Sequence, residues 1–184
     1  MARRRSRTAT GDVPRISAAA EAGLALFLRN GALGWTDATH VHRSGVSRRA
    51  GSRMGYAERP LRVLIVDDNE VARASVAAVL GGEEDITVVG QCSDGTQVID
   101  TARAVAPDVV IMDLAMPIIG GVQATRELLA EQPGIRVLVF TTTYGAELAA
   151  ALAAGACGYL LRGAPPEVLL LAVRALRILP ETGA

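Results

Sequence analysis

Apolar residues in the second part of the chain follow two alternating patterns. Residues 61–66 form a nearly continuous run of Leu, Val and Ile, which is typical of a strand buried on both faces of a sheet. Residues 69–80 carry apolar side chains at helical spacing and end at a Gly-Gly pair. The alternation continues to residue 177. It predicts further strands at 86–91, 108–112, 135–140 and 157–161 and helices at 95–105, 121–131, 145–154 and 165–177.

Five strands that alternate with five helices predict a parallel sheet, because each helix returns the chain through a right-handed crossover. The predicted fold is an α/β fold with an open, doubly wound, five-stranded parallel sheet and helices on both faces. No apolar run reaches the roughly 18–20 residues that a transmembrane helix needs. Cys92 and Cys157 lie in apolar segments at no metal-binding spacing, so we expect a soluble, cytoplasmic protein without disulfides.

The first 58 residues follow neither pattern and are basic. They contain ten Arg and four acidic residues, whereas residues 59–184 contain nine Arg and fifteen acidic residues, so the formal charge divides into +6 and −6. The acidic charge of the second part argues against a nucleic-acid surface there. Within the first part, residues 16–29 fit one amphipathic helix in an extension that we otherwise expect to be disordered.

Several interpretations of residues 1–58 fit the sequence. The segment is a disordered basic tail, or it is upstream sequence in front of a natural start at Met54. A nucleic-acid-binding arm and a targeting segment are functional alternatives that its Arg-rich, acid-poor composition permits. The predicted organisation is an extension at 1–58 and one folded domain at 59–184.

Polar residues follow four of the five predicted strands. Asp67 and Asp68 follow the first strand, and Asp113 follows the third. Thr141 and Arg162 follow the fourth and fifth. In open α/β sheets the reactive groups gather beyond the carboxyl ends of the strands, so these side chains should meet. Clustered carboxylates need a neutralising cation, and Mg²⁺ prefers such oxygen ligands. One carboxylate is then able to act as the nucleophile that forms an aspartyl phosphate.

The segments that carry these residues resemble the receiver domains of bacterial two-component response regulators. The runs Val-Leu-Ile-Val-Asp67-Asp68, Val-Val-Ile-Met-Asp113, Val-Leu-Val-Phe-Thr141 and Gly-Tyr-Leu-Leu-Arg162 match the landmarks of that family in order. The resemblance covers residues 61–178 and is strongest to the NarL/FixJ-type subgroup. It implies a flavodoxin-like (βα)5 fold and a protein of a phosphorelay.

The resemblance implies a phosphoacceptor and a metal site. Asp113 would accept a phosphoryl group from a cognate histidine kinase. Asp67, Asp68 and Asp113 would hold Mg²⁺, with the backbone carbonyl of Ala115 as a further ligand. The chain would then be a signalling phosphoacceptor with its own Mg²⁺-dependent phosphorylation and dephosphorylation chemistry, and not an enzyme with a separate substrate.

The resemblance also implies a conformational switch. Thr141 would bond a phosphoryl oxygen, and Arg162 would pair with the phosphoryl group from the position of the family's lysine. Tyr159 would turn inward as Thr141 moves. The change would bias the face formed by the fourth helix, fifth strand and fifth helix, where a homodimer or a downstream effector would bind. No contact with DNA or a membrane is implied.

The sequence departs from the family's pattern near the site. Arg162 stands where the family has a nearly invariant Lys, in a chain whose nineteen basic residues are all Arg. Two interpretations therefore stay open. Either Arg162 reflects compositional drift and still pairs with the phosphoryl group, or signalling at this site is weakened. The turn after Pro117 reads Ile-Ile-Gly-Gly instead of the usual Gly-Met-Asp-Gly, and Gly163 replaces a frequent Asp. The stretch 141–155 is one residue short.

Other interpretations stay open beside the switch. NarL/FixJ-type regulators continue after the fifth helix into a helix-turn-helix domain, whereas this sequence stops there. We therefore expect a receiver without such a domain, with a truncated transcription regulator as the alternative. A degenerate receiver would act as a phosphorylation-independent binding module. Taken singly, Asp67 and Asp68 also fit an Asx turn and a helix N-cap, and Tyr159 fits an ordinary half-buried strand residue. Arg73 and Arg103 fit solvent-facing helix positions.

Overall fold

The computed structural model describes residues 59–177 and the two residues 27–28, and within them strands and helices alternate. The strands are β1 Phe27–Leu28, β2 Leu61–Val66, β3 Ile86–Cys92, β4 Val109–Met112, β5 Arg136–Thr141 and β6 Gly158–Leu161. The helices are α1 Glu70–Gly81, α2 Val98–Val105, α3 Gly121–Glu131, α4 Ala146–Ala153 and α5 Pro166–Arg177, with a 3₁₀ turn at Gly95–Gln97 before α2. Apart from that turn, the predicted boundaries differ from these by one residue at most.

Strands β2 to β6 form one parallel sheet in the spatial order β3-β2-β4-β5-β6. The doubly wound, five-stranded parallel sheet is therefore confirmed. From β2 the chain first moves outward to β3 and then crosses back to β4, so the direction of winding reverses between β2 and β4. Such a reversal opens a crevice at the carboxyl ends of the two strands, where ligands bind in sheets of this kind.

A short antiparallel strand extends this sheet beyond the prediction. In β1, Phe27 lies opposite Tyr159 and Leu28 lies opposite Gly158 of β6. The predicted helix over 16–29 is wrong at these two residues, because the outer edge of β6 offers backbone groups that an extended segment satisfies. The rest of the predicted helix and Met54 lie outside the described residues. The division into 1–58 and 59–184 stays a prediction.

The core has two layers, one on each face of the sheet. Alternate residues of β2, such as Leu64 and Val66, point to the layer that α2, α3 and α4 cover. Their neighbours Val63 and Ile65 point to the layer that α1 and α5 cover. Burial on both faces explains the continuous apolar strands. Cys92 and Cys157 are both buried. Within the described ranges, no helix has the length and apolar composition to cross a membrane.

Candidate acidic site at the carboxyl edge of the sheet

The ends of β2 and β4 place two aspartates side by side. The Asp67 N–H donates to the Cys92 carbonyl at 3.1 Å, and the Asp113 N–H donates to the Val66 carbonyl at 2.9 Å. Backbone bonding of the sheet thus continues past the strand ends. Carboxylate oxygens of Asp67, Asp68 and Asp113 all lie within 4.8 Å of one another. Asp67 and Asp113 are only 3% and 5% exposed, whereas Asp68 is exposed. The structure brings together the three predicted carboxylates.

Arg162 lies against the two buried carboxylates. Its Nη2 donates to Asp67 Oδ2 at 2.6 Å and lies 3.0 Å from Asp113 Oδ2. Its Cζ lies 5.9 Å from the centroid of the Phe140 ring, within the range of a cation–π contact. The Arg162 side chain is 19% exposed, so it borders solvent. Arg162 therefore contacts two of the three carboxylates in the cluster.

Asp67 is held by a turn as well as by Arg162. Its Oδ1 accepts the Asn69 N–H at 2.8 Å, which closes an Asx turn. The N-cap of α1 is Asn69, whose side chain accepts from the Ala72 N–H at 3.0 Å. Burial raises the pKa of the Asp67 carboxyl, and the Asp113 charge adds to this, against the hydrogen bonds from Asn69 and Arg162. The Asx turn at Asp67 is thus present within the acidic cluster, and the N-cap of α1 is Asn69, one residue after the Asp67-Asp68 pair for which it was predicted.

Thr141 and Arg162 are neighbours across β5 and β6. Thr141 is the last residue of β5 and is fully buried. Its carbonyl accepts the Arg162 N–H at 3.0 Å, and its Oγ1 accepts the Thr143 N–H at 3.1 Å. Tyr159 of β6 is half-buried and packs against the core layer under α3 and α4, and this burial raises the pKa of its phenol. The roles of Thr141 and Tyr159 in a switch stay predictions.

The loop between β4 and α3 is tightly constrained. Ala115, whose carbonyl was predicted as a metal ligand, is exposed two residues after Asp113. Ile118 adopts a φ of +66°, in the left-handed region that a β-branched residue rarely occupies, and its side chain is 82% exposed. A Cβ on Gly121 would lie 1.9 Å from the Asp113 carbonyl oxygen. Only glycine therefore lets α3 begin this close to the site.

Arg73 is a contact that sequence reasoning missed. It was predicted to face solvent, but it is half-buried and its Nη1 donates to the Asp67 carbonyl at 2.6 Å. Helical spacing alone places it outward; the signal was its position in the first turns of the helix that leaves the site, from which a long side chain reaches back. Arg103, by contrast, is exposed and pairs with Asp100 and Glu131, as its position predicted.

The chemistry of the donor set fits a hard divalent cation. The three carboxylates outnumber the two guanidinium groups beside them, those of Arg162 and Arg73, so the site is negative and would attract Mg²⁺. One oxygen of each carboxylate lies within 4.8 Å of an oxygen of the other two, so Asp67, Asp68 and Asp113 would together hold such an ion.

Comparison with known proteins agrees with this geometry. The sequence profile of the response regulator receiver domain matches residues 63–174. Response regulator GacA of Pseudomonas aeruginosa is 42% identical over 115 residues, which cover 62% of this chain and 54% of GacA.

Two solved structures share the fold. The signal receiver domain of the putative response regulator NarL from Mycobacterium tuberculosis has a TM-score of 0.61 at 27% identity, covering 66% of this chain and 99% of that domain. The isolated receiver domain of RcsB from Salmonella enterica serovar Typhimurium, in the presence of phosphomimetic BeF3−, has a TM-score of 0.60 at 27% identity, covering 65% and 89%. The chain spans about half the length of the curated relatives it matches.

Proposed function

The chain belongs to the response regulator receiver domain family of bacterial two-component systems, and on that premise we propose that Asp113 accepts a phosphoryl group from a histidine kinase. The observation that carries the proposal is the position of Asp113: a buried carboxylate at the switch point of the sheet, within 4.8 Å of two further carboxylates. Phosphomimetic BeF3− accompanies the isolated receiver domain of RcsB. A phosphoryl group at Asp113 would form the corresponding state of this chain.

The proposed reaction is an in-line displacement at phosphorus. An Asp113 oxygen forms the new P–O bond as the bond from phosphorus to the leaving imidazole nitrogen of the kinase breaks, and that nitrogen keeps the electron pair. When bound, Mg²⁺ supplies the positive charge that lets the anionic phosphoryl group approach the carboxylates. Asp67, Asp68 and Asp113 would hold it, with the Ala115 carbonyl.

Two other residues act directly on the phosphoryl group in this proposal. Arg162 Nη2, 3.0 Å from Asp113 Oδ2, donates to a phosphoryl oxygen. The Thr141 hydroxyl, buried at the end of β5, donates to a second phosphoryl oxygen, while its Oγ1 accepts the Thr143 N–H. Formation and hydrolysis of the acyl phosphate both take place on Asp113, so the chain is a phosphoacceptor and not an enzyme with a separate product.

Phosphorylation signals through the α4–β6–α5 face in this proposal. Movement of Thr141 toward the phosphoryl group opens space into which the Tyr159 ring turns, and only the difference in affinity between the two states drives the change. The partners are a cognate kinase and, at this face, an effector protein or a second copy of the chain. Direct binding to DNA or membranes is not part of the proposal, and the expected location is the cytoplasm.

Intact-mass spectrometry tests the phosphoacceptor. The full chain is incubated with acetyl phosphate, with and without Mg²⁺, beside Asp113→Asn and the matched variant Asp108→Asn, which changes a carboxylate at the opposite edge of the sheet. We expect one phosphoryl adduct in the wild type and in Asp108→Asn, only with Mg²⁺, and none in Asp113→Asn. An adduct that persists in Asp113→Asn would overturn the assignment.

A second candidate is a phosphorylation-independent binding module. The observation that favours it is the contact of Arg162 with both buried carboxylates, which already gives them a cation. A folded wild-type chain that forms no adduct with acetyl phosphate or with kinase would support it. The alternative of a truncated transcription regulator is tested by searching the gene directly downstream for a helix-turn-helix reading frame.

A further inference from the structure

The carboxylate oxygens of the acidic site already have hydrogen-bond donors. Asp67 Oδ1 accepts the Asn69 N–H at 2.8 Å, and Asp67 Oδ2 accepts Arg162 Nη2 at 2.6 Å. The same Nη2 lies 3.0 Å from Asp113 Oδ2. A single guanidinium nitrogen therefore joins the two buried carboxylates, and it stands where a cation bound by both would also stand.

A guanidinium and a divalent cation compete for such oxygens. Both are positive, so a metal that binds Asp67 and Asp113 is repelled by Arg162 for as long as Nη2 stays between them. Arg162 is held there by two charge-assisted contacts, from the same Nη2 to Asp67 and to Asp113. The Arg162 side chain is 19% exposed, so it is able to move toward solvent. Asp67 is held in place, because its Oδ1 accepts the Asn69 N–H and its carbonyl accepts Arg73 Nη1.

We propose that Arg162 is a resident cation of the acidic site, which a divalent metal must displace from Asp67 and Asp113 before it binds. Without metal, Arg162 stabilises the clustered carboxylates. With metal, the displaced guanidinium is released toward the solvent side of Asp113, where a phosphoryl group would arrive. The inference rests on the proposed function only in that the site takes a divalent cation; it requires no phosphoryl transfer.

Isothermal titration calorimetry of the full chain with MgCl₂ tests the displacement. Arg162→Met keeps much of the apolar stem and removes the competitor, so we expect its Mg²⁺ dissociation constant to fall by about tenfold or more, since removal of a charge this close shifts such equilibria by one or more powers of ten. Arg162→Lys keeps the charge on a more flexible and more strongly hydrated ammonium, which leaves the carboxylates more readily, so its dissociation constant should lie between those of Arg162→Met and the wild type.

Arg73→Met is the matched control. It removes the same charge from the same neighbourhood, but Arg73 donates to the Asp67 carbonyl and not to a carboxylate. We expect its Mg²⁺ affinity to change by roughly twofold, as for a charge that is partly screened by solvent. An equal gain in affinity for Arg73→Met and Arg162→Met would overturn the proposal, because net charge alone would then explain both.

Thermal unfolding supplies a second readout that does not depend on calorimetric heat. Without metal, Arg162→Met should melt below the wild type because its carboxylates repel one another, and Mg²⁺ should raise its midpoint more than it raises the wild-type midpoint. If Arg162→Met does not fold, the comparison of Arg162→Lys with the wild type decides. Equal Mg²⁺ affinities, or no Mg²⁺ binding by any variant, would overturn the displacement. The mass experiment tests phosphorylation of Asp113 separately, so failure of the displacement and failure of the proposed function are distinguishable.

Discussion

Acidic residues meet positive charge very differently at the two edges of the parallel sheet. At the amino edge, Arg59 donates to both oxygens of Asp108, at 2.8 and 2.6 Å. Arg174 donates to both oxygens of Asp85 and also to Glu83, at 2.6 to 2.8 Å. Each of these acids thus has a guanidinium of its own or shares one with a single neighbour. At the carboxyl edge, Asp67 and Asp113 share a single nitrogen of Arg162, and Asp68 adds a third carboxylate to the same cluster.

The pKa values follow this difference. At the amino edge, hydrogen bonds from Arg174 lower the pKa of Asp85. Burial opposes the same effect at Asp108, but the hydrogen bonds from Arg59 and from the Arg62 N–H outweigh it, and the pKa of Asp108 is lowered. At the carboxyl edge, burial raises the pKa of Asp67. The amino edge is neutralised by its arginines, whereas the carboxyl edge keeps an excess of negative charge, which would favour the binding of a divalent cation.

Gly121→Ala should break the carboxyl edge and have the largest effect. The new Cβ would overlap the Asp113 carbonyl oxygen at 1.9 Å, so either α3 or Asp113 must move. We expect a loss of about 3 kcal/mol in the free energy of unfolding, measured by urea denaturation. Gly134→Ala, at the amino edge before β5, meets nothing within 4 Å and should change the free energy by less than about 0.5 kcal/mol. Equal losses in the two variants would mean that the conformational freedom of glycine, and not the close approach of Gly121 to Asp113, determines the change in unfolding free energy.

Asp108→Asn should weaken the amino edge by less. It removes the charge that Arg59 and the Arg62 N–H both bind, and we expect a loss of about 1 kcal/mol at pH 7, since the Arg59 side chain is largely exposed. Asp100→Asn, which disturbs an exposed pair with Arg103, should cost much less. A wild-type stability for Asp108→Asn would show that this ion pair contributes nothing to the edge.

The pH dependence of Asp108→Asn sharpens the same comparison. A carboxyl whose pKa is lowered on folding stabilises the protein above its unfolded value near 3.8, and this contribution is lost as pH falls through the folded value. The difference in unfolding free energy between the wild type and Asp108→Asn should therefore be fully present at pH 6 and shrink below pH 4. Urea denaturation at pH 6, 4 and 3 measures it. A difference that grows in acid would contradict the lowered pKa.

Ile118→Gly should stabilise the loop beside the site. Glycine removes the steric penalty of a φ of +66° but adds freedom to the unfolded chain, so we expect a net gain of about 0.5–1 kcal/mol in urea denaturation. Ile118→Val, which keeps a β-branched side chain and hence the strain, should be close to the wild type. A loss of stability in Ile118→Gly would mean that the exposed Ile118 side chain makes a favourable contact that outweighs its strain.

Asp68→Asn should have the smallest effect, with a sign that depends on the metal. Asp68 is the exposed member of the acidic cluster, so removing its charge should raise the melting point slightly without Mg²⁺, by the equivalent of about 0.5 kcal/mol. With Mg²⁺ the variant should melt below the wild type, since it has lost a ligand. The same sign in both conditions would remove Asp68 from the proposed metal ligands.

The sequence was sufficient for the sheet because its strands are buried on both faces. A run such as Val63 to Val66 admits few alternatives to a central parallel strand, and once the strands are ordered, the residues after them must share one edge. The cluster of Asp67, Asp68 and Asp113 followed from that rule. The neighbouring Arg162 followed as well, but its bond to both buried carboxylates did not, because side-chain torsions decide it.

What the sequence did not reveal depends on contacts between distant segments or on single backbone torsions. Arg73 reaches back to the Asp67 carbonyl, although helical spacing places it outward. Ile118 is left-handed although no propensity favours it, because the loop must turn between Asp113 and Gly121. Phe27 and Leu28 pair with β6, far away in the chain, where a local apolar pattern had suggested a helix.

The short strand β1 also bears on how molecules of this protein meet one another. An open outer strand presents a row of backbone donors and acceptors on which a strand from a second molecule can add, and from there a third. β1 runs antiparallel along Gly158 and Tyr159 and so covers the first half of β6 with two residues of the same chain. At the β6 edge of the sheet, a segment of the same chain thus takes part of the place where a strand of a second molecule would add, which disfavours edge-to-edge aggregation.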